Sequence, residues 1–423
     1  MSLLNELLNK FKETFNTDPD VVASSPGRLD FLNTHQDYKG LPVVSVGVNL
    51  RTYIAIKIVN RDEVNIVSYN LKEEGSPFQD IFRLSDLKLR EGKWFGNYLR
   101  AGLIAYREKG IKLPGMYVGI LSSVPVGGGL ASSAALLVSF LGAVAYALNL
   151  SVSRKEIAEL AYRAEHDIMG IPCGRLDQYG SVYGKVIRIE TRPPYNVEEI
   201  DFREGIFVVL DSGIKHSTAD IHPKRQAEID EGLRILMRIP EIPLSLKEKL
   251  GEHYYEPRWG EITMDEIAPF LAKIPKVSAK RIEFTLRMNS STEIALKIMR
   301  GLEISPSEIK NVLPRHFHKE VDIAFKEREK ERVLRLIGIL MNYQHELLRD
   351  LYDLSLPELE AIRNNALSSG AYGVKLSGAG LGGSLIALTR DRKIAEEVLR
   401  RGLSAGAKRG WIVEIDDGLR REL

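Results

Sequence analysis

Within the first nineteen residues Leu3, Leu4, Leu7, Leu8, Phe11 and Phe15 recur at helical spacing with Asn, Glu and Lys between them, which predicts an amphipathic helix. It is not a signal peptide, because no unbroken apolar run leads to a small-residue cleavage site. The period then shortens: 21–26 is short and extended, and 43–48, 51–59 and 64–68 are rich in Val, Ile and Thr with partial alternation, as in strands of a mixed or antiparallel sheet. Trp94-Phe95-Gly96-Asn97-Tyr98 opens a helix to about Lys109, and 116–122 reads as a strand. From Leu130 to Leu150 there is no charged residue, a run long enough to cross a bilayer. Ser132, Ser133, Ser139, Gly142 and Asn149 dilute it, and no second span or flanking basic cluster accompanies it, so a buried helix is expected.

Ser153 and Glu156 form a capping box at the start of a further helix, which runs through Glu165-His166 and breaks at Gly170-Ile171-Pro172-Cys173-Gly174. A strand-like run, 186–190, leads to Pro193-Pro194, the best candidate boundary, giving expected domains 1–195 and 196–423. Residues 207–210 read as a buried strand, and the chain to about Leu367 as mostly helical, with 240–276 unplaced. Residues 374–388 read as strand, glycine loop, strand.

With 423 residues the chain exceeds one ordinary core, consistent with two domains. A net charge of +2 argues against a nucleic-acid or anionic-membrane surface and favours a small-molecule partner. A single cysteine, Cys173, excludes an intrachain disulfide framework and fits a reducing compartment, so a cytoplasmic location is expected. Monomer and homodimer both stay open.

The densest chemistry lies in Pro125-Val126-Gly127-Gly128-Gly129-Leu130-Ala131-Ser132-Ser133. Glycines let backbone N–H groups converge, and the helix that follows adds its positive dipole end, so the stretch reads as a phosphate cradle. The bland alternative is a loop before a core helix. A second concentration is the run from Gly27 to Gly40, with Arg28, Asp30, Thr34, His35 and Asp37. Asp177 follows the 170–174 turn, where it would act as an exposed functional carboxylate or merely cap a helix.

Gly378, Gly380 and Gly383 formally satisfy G-x-G-x-x-G, but the dinucleotide fingerprint needs a helix after the glycines, and 384–388 is strand-like. Walker A is absent from both loops. His316 and His318 lack a placed third ligand and read as solvated surface, and Cys173 lacks an identifiable histidine partner and reads as structural.

In order along the chain stand Pro-Gly-Arg28 with His35-x-Asp37-Tyr38, then Pro125-x-Gly-Gly-Gly-Leu-x-Ser-Ser-Ala, then Glu165-His166 ahead of Asp177-Gln178, then Asp211-Ser-Gly-x-x-His216-Ser, then Ser377-Gly-Ala-Gly380-x-Gly-Gly. This series resembles the GHMP kinases, and within them most closely the galactokinases, from the first helix to about Leu388. The resemblance implies an α+β, two-domain fold with ATP and sugar in the interdomain cleft, and an enzyme phosphorylating the C1 hydroxyl of galactose or a C6-modified relative. It also implies roles. Pro125, Gly127, Gly128, Gly129, Leu130, Ala131, Ser132 and Ser133 would bind ATP, with Gly378, Gly380 and Gly382 in a second loop. Ser133 and Glu165 would hold Mg²⁺, Asp177 would take the sugar proton, and Arg28 would stabilise the transferring group. Thr34, His35, Asp37, Gly174, Asp177 and His222 would contact the sugar. The family's Gly-Glu-His-Thr-Asp-Tyr is Asn33-Thr34-His35-Gln36-Asp37-Tyr38 here, so the glutamate expected near the C6 hydroxyl is Thr34. His222 stands where a sugar-contacting tyrosine is common. A non-catalytic sugar and ATP sensor is the competing reading, opposed by the intact Arg28, Ser133, Glu165 and Asp177.

Overall fold

The computed structural model describes residues 2–215 and 218–423, so His216 and Ser217 of the polar run after Asp211 lie outside the described residues. Strands among them are β1 (Val21–Leu32), β2 (Val43–Val59), β3 (Val64–Ser68), β4 (Gln79–Phe82), β5 (Gly115–Ser122), β6 (Val186–Ile189), β7 (Val197–Ile200), β8 (Ile206–Asp211), β9 (Gly373–Ser377), β10 (Ser384–Thr389), β11 (Arg409–Val413) and β12 (Arg420–Arg421). The residues divide into two compact units, one comprising Met1–Leu29, Val46–Lys185 and Ile415–Leu423, the other Asp30–Ser45 and Val186–Glu414. The chain therefore passes from one unit to the other four times. A single break at Pro193-Pro194 carries no signal of that, because two of the passages fall inside the continuous strands β1 and β2, where nothing interrupts the apolar pattern.

In the first unit the strands follow the path β12-β1-β2-β5-β3-β4. β5 lies between β2, antiparallel with Thr52 opposite Ser122, and β3, parallel with Val64 opposite Met116. The expected N-terminal helix is Leu3–Phe15, stopped at Asn16 in the left-handed region with its N–H on the Lys12 carbonyl. Its buried face, Leu7 and Phe11, packs with Val22, Ala55, Val67, Tyr69 and Leu121. The apolar run beginning at Leu130 becomes the helix Ser132–Ala147, buried almost all round, and no described helix is long and apolar enough to cross a membrane.

Two strand expectations change. The extended stretch does not end at Pro26 but continues to Leu32, buried throughout, so Arg28 and Asp30 project from a strand. The runs 43–48 and 51–59 are one seventeen-residue strand. The polar Arg51 beside the apparent break is held inside by bonds to Ser24, Asp416 and the Asp417 and Gly418 carbonyls, which satisfy the guanidinium without a turn.

In the second unit β6 and β7 pair antiparallel, and a separate antiparallel sheet has the order β11-β8-β10-β9. Long helices Thr218–Arg238, Lys276–Met299 and Glu329–Asp350 form the helical part. The unplaced 240–276 supplies short helices Leu244–Lys247 and Met264–Leu271, whose Leu246 and Ile267 join Trp259, Ile229, Leu233 and Leu41 in one apolar cluster. The second glycine loop joins β9 to β10, paired antiparallel with Ser377 opposite Ser384, so a strand follows the glycines as the sequence suggested.

Candidate active site

The first loop is built on Arg28. Its backbone N–H donates to the Leu130 carbonyl at 3.1 Å, and its Nη1 donates to the Gly129 carbonyl at 2.8 Å. Gly27 permits this approach, since a Cβ there would stand 2.8 Å from the Leu130 oxygen. Gly127, Gly129 and Ala131 have positive φ, 70°, 74° and 54°, which turns the chain into the helix at Ser132. Leu130 is 1% exposed and anchors the turn from below.

The remaining Arg28 donors, Nε and Nη2, reach Asp177 Oδ1 at 2.9 and 2.5 Å. Asp177 lies in the first turn of the helix Leu176–Tyr183, and both contacts fall on one carboxylate oxygen. The distance that the sequence could not supply is thus that of a direct ion pair. Beside it, Ser133 Oγ donates to Glu165 Oε1 at 2.9 Å and Gln178 Nε2 donates to Oε2 at 2.7 Å. Glu165 is buried, and desolvation first and the Asp177 charge second raise its carboxyl above the ordinary range. It sits on a π-helical turn, Arg163–Ile168, continuing the helix Arg154–Tyr162, where the sequence suggested only a regular helix.

Gly174 lies in an exposed loop held by its neighbour Arg175, which pairs with Glu159 at 2.8 Å and stacks over Tyr162. Burial pushes the Cys173 thiol up to about 12, the opposite of an activated nucleophile. His316 meets Glu346, and His318 meets the Lys310 and Leu313 carbonyls.

The second group lies in the turn after β1. Asn33 and His35 have φ of 63° and 65°. His35 Nε2–H donates to the Ala379 carbonyl at 3.0 Å, and burial, then His222, keep its ring well below the ordinary value and neutral. Burial, then the charge of Asp30, raise Asp37 to about 6. Lys39 is wholly buried, donating to Thr285 Oγ1 at 2.9 Å beneath the rings of Phe284 and Tyr352. The Thr34 hydroxyl is not idle: it donates to Asp30 Oδ1 at 3.1 Å and accepts from Lys375 Nζ at 3.0 Å. Lys375, 0% exposed, is pushed down to about 8 by burial against the opposing charge of Asp30. Asp30 Oδ2 accepts the Gly378 N–H at 3.2 Å, so this turn and the second glycine loop are bonded within the same unit.

Sequence reasoning brought together Arg28, Asp177, Ser133 and Glu165 by resemblance and missed Gln178, Lys375 and the Asp30 contact. A lysine inside the apolar strand Gly373–Ser377 was the available signal for Lys375.

Residues 97–185 match the family model described as the GHMP kinases N terminal domain, residues 324–408 the GHMP kinases C terminal model, and residues 9–58 a galactokinase galactose-binding signature. The chain belongs to the GHMP kinases. Within them it is similar to the galactokinases and is an ATP-dependent sugar kinase. The galactokinase of Pyrococcus furiosus is 29% identical over 94% of this chain and 99% of its own length, and that of Thermococcus kodakarensis 28% identical over 87% and 89%. The structure of Lactococcus lactis galactokinase complexed with galactose matches with a TM-score of 0.74 at 23% identity, covering 99% of this chain and 100% of that one. Methanococcus jannaschii mevalonate kinase matches with a TM-score of 0.61 at 19% identity, over 94% and 98%. At these identities the structural likeness is one of fold.

Proposed function

We propose that the chain transfers the γ-phosphoryl group of ATP to the anomeric hydroxyl of galactose or of a relative altered at C6. The observation that carries this reading is Arg28, which bonds both to Asp177 Oδ1 and to the Gly129 carbonyl of the glycine loop. It ties an acceptor for a proton to a loop suited to phosphates. Asp177 takes the proton of the C1 hydroxyl; the C1 oxygen forms its bond to the γ-phosphorus as the bond to the β–γ bridging oxygen breaks, and ADP leaves. Arg28 supplies fixed positive charge beside that transfer. Pro125 and Leu130 shape the loop, while amides from Gly127 through Ser133, at the start of the helix, bind the phosphates.

Ser133 Oγ and Glu165 Oε1, 2.9 Å apart, are hard oxygen donors of the kind Mg²⁺ takes alongside nucleotide phosphates, and the buried Glu165 carboxylate gains from a cation. They would hold the ion, which when bound neutralises phosphate charge. His35, Asp37, Gly174 and His222 contact the sugar in this reading, Thr34 lies in the same turn behind them, and Gly378, Gly380 and Gly382 belong to a second nucleotide loop. The test is ADP release across a panel of monosaccharides, with the product's phosphate located by NMR. Release dependent on galactose or a C6-altered relative, with phosphate at C1, is expected; a protein that binds sugar and ATP without turnover overturns the reading in favour of a sensor.

A further inference from the structure

Residues 240–276 carried no legible pattern, yet they bring one aromatic side chain against the turn at 33–41. Tyr254 is held by its backbone from both sides, its N–H on Asp230 Oδ1 at 2.6 Å and its carbonyl accepting from Trp259 Nε1 at 2.9 Å. Asp230 also meets the ring of the neighbouring His253 at 3.1 Å. Trp259 is 2% exposed and packs in the cluster that includes Leu41, so the scaffold behind Tyr254 is continuous with the turn itself. Arg192, bonded to the Tyr255 and Pro257 carbonyls, closes the other side, its guanidinium against Gly40 where a Cβ would stand 2.1 Å away.

The ring so placed lies 5.9 Å from that of Tyr38, edge to face, and Tyr38 lies 5.1 Å from His222. His222 in turn lies 5.1 Å from His35. Tyr38, His222 and Tyr254 are all half-buried, each partly uncovered beside the buried His35 and the half-buried Asp37. The Tyr38 hydroxyl is taken by Tyr352 at 2.8 Å, whereas the Tyr254 hydroxyl has no partner among the described residues. Half-uncovered rings beside a carboxylate and a neutral imidazole suit a pyranose, whose C–H faces pack on aromatic surface while its hydroxyls seek fixed polar groups.

We propose that Tyr254 is a specificity-determining residue that forms one wall of the sugar site, offering its ring to the sugar's apolar face and its hydroxyl to a sugar oxygen. The proposal rests on the sugar-kinase reading above. Tyr254→Leu keeps apolar bulk against the cluster, and Tyr254→Phe keeps the ring without the hydroxyl. The experiment measures kcat and KM for galactose and for ATP in the full chain, with the melting temperature of each variant. Expected are a rise in the galactose KM of about tenfold for Tyr254→Leu and a few-fold for Tyr254→Phe, with the ATP KM within twofold of wild type. Galactose KM unchanged in both variants overturns the proposal, as does an equal rise in both KM values with a lowered melting temperature, the mark of a merely structural residue. Failure of the underlying reading is distinguishable, because then the wild type itself releases no ADP with sugar.

Discussion

The two glycine-rich loops, 125–131 and 378–383, are similar in composition and differ in how they are tied down. The first is held by its carbonyls: Gly129 and Leu130 accept from Arg28, and the chain then enters a helix whose first-turn amides have no intrahelical acceptor. The second is held by its amides: Gly378 donates to Asp30 Oδ2, Leu381 to the Leu354 carbonyl at 2.7 Å, and Gly383 to the Ile214 carbonyl at 3.1 Å. Its glycines also make room, since a Cβ on Gly380 would stand 2.7 Å from that of Leu354 and one on Gly382 would stand 2.5 Å from the Ile214 oxygen. An amide already bonded within the protein offers an anion nothing. Counting glycines therefore does not tell which amides a loop has left for a phosphate; the bonds those amides already make, and the element after the glycines, do.

The largest effect should come from the side of the first loop. Asp177→Asn keeps the shape of the carboxylate but removes the proton acceptor and the partner charge of Arg28, so turnover should fall by about 10²–10⁴ with ATP affinity nearly kept. Single-turnover phosphoryl transfer and nucleotide binding measured on the same preparation check this. Wild-type turnover in the variant would remove Asp177 from the chemistry.

Much of this contrast was legible in the sequence, and its limits are physical. Residues 384–388 read correctly as a strand because a short, continuous apolar run after glycines is a local signal that needs no distant partner. The fate of Arg28 and Asp30 was less legible, since the extended reading stopped at 26 and left the run from Gly27 to Gly40 without an element. A strand buried along its whole length tolerates them only because Asp177, Gly129, Thr34 and Gly378 take their bonds, and all of those partners but Thr34 lie far along the chain. The π-turn at Glu165 was invisible for the same reason: its sequence, Arg163-Ala164-Glu165-His166, is ordinary helix former.

Next in size is a stability effect in the turn tied to the second loop. Asp37 is raised from an ordinary 3.8 to about 6, so the folded state holds its proton more tightly than the unfolded chain. Stability from this group is complete below 3.8 and is lost as pH rises through 6, leaving a penalty of up to about 3 kcal/mol at pH 8. Asp37→Asn should raise the urea midpoint at pH 8 much more than at pH 5, while weakening sugar binding. A variant less stable than wild type at pH 8 would show that Asp37 does not carry this desolvation penalty.

Smaller again, Ser133→Ala and Glu165→Ala should each raise the magnesium concentration for half-maximal turnover about tenfold, because each removes one hard oxygen. Ser132→Ala should do less. Identical magnesium titrations for the three variants would detach the ion from Ser133 and Glu165 and blur the distinction between the loops.

The smallest expected effect concerns Thr34, at the junction of the sugar turn and the second loop. Its hydroxyl proton goes to Asp30 and one lone pair to Lys375, and the side chain is 2% exposed, so little is left for a sugar's C6 substituent. A site that hydrogen-bonds a substrate hydroxyl rejects the analogue lacking it by about 10⁴, and without that contact the ratio should shrink to about tenfold or less. The wild type should accordingly use 6-deoxygalactose within about tenfold of galactose in kcat/KM. The buried Asp30 and Lys375 charges largely offset one another, so galacturonate should be neither strongly favoured nor strongly excluded. Thr34→Glu adds a carboxylate beside Lys375, and should restore preference for galactose over galacturonate by like-charge repulsion. If the wild type already prefers galactose over both analogues by orders of magnitude, and Thr34→Glu changes nothing, C6 is read by a residue other than Thr34, and the Asp30–Thr34–Lys375 chain serves the turn and loop alone.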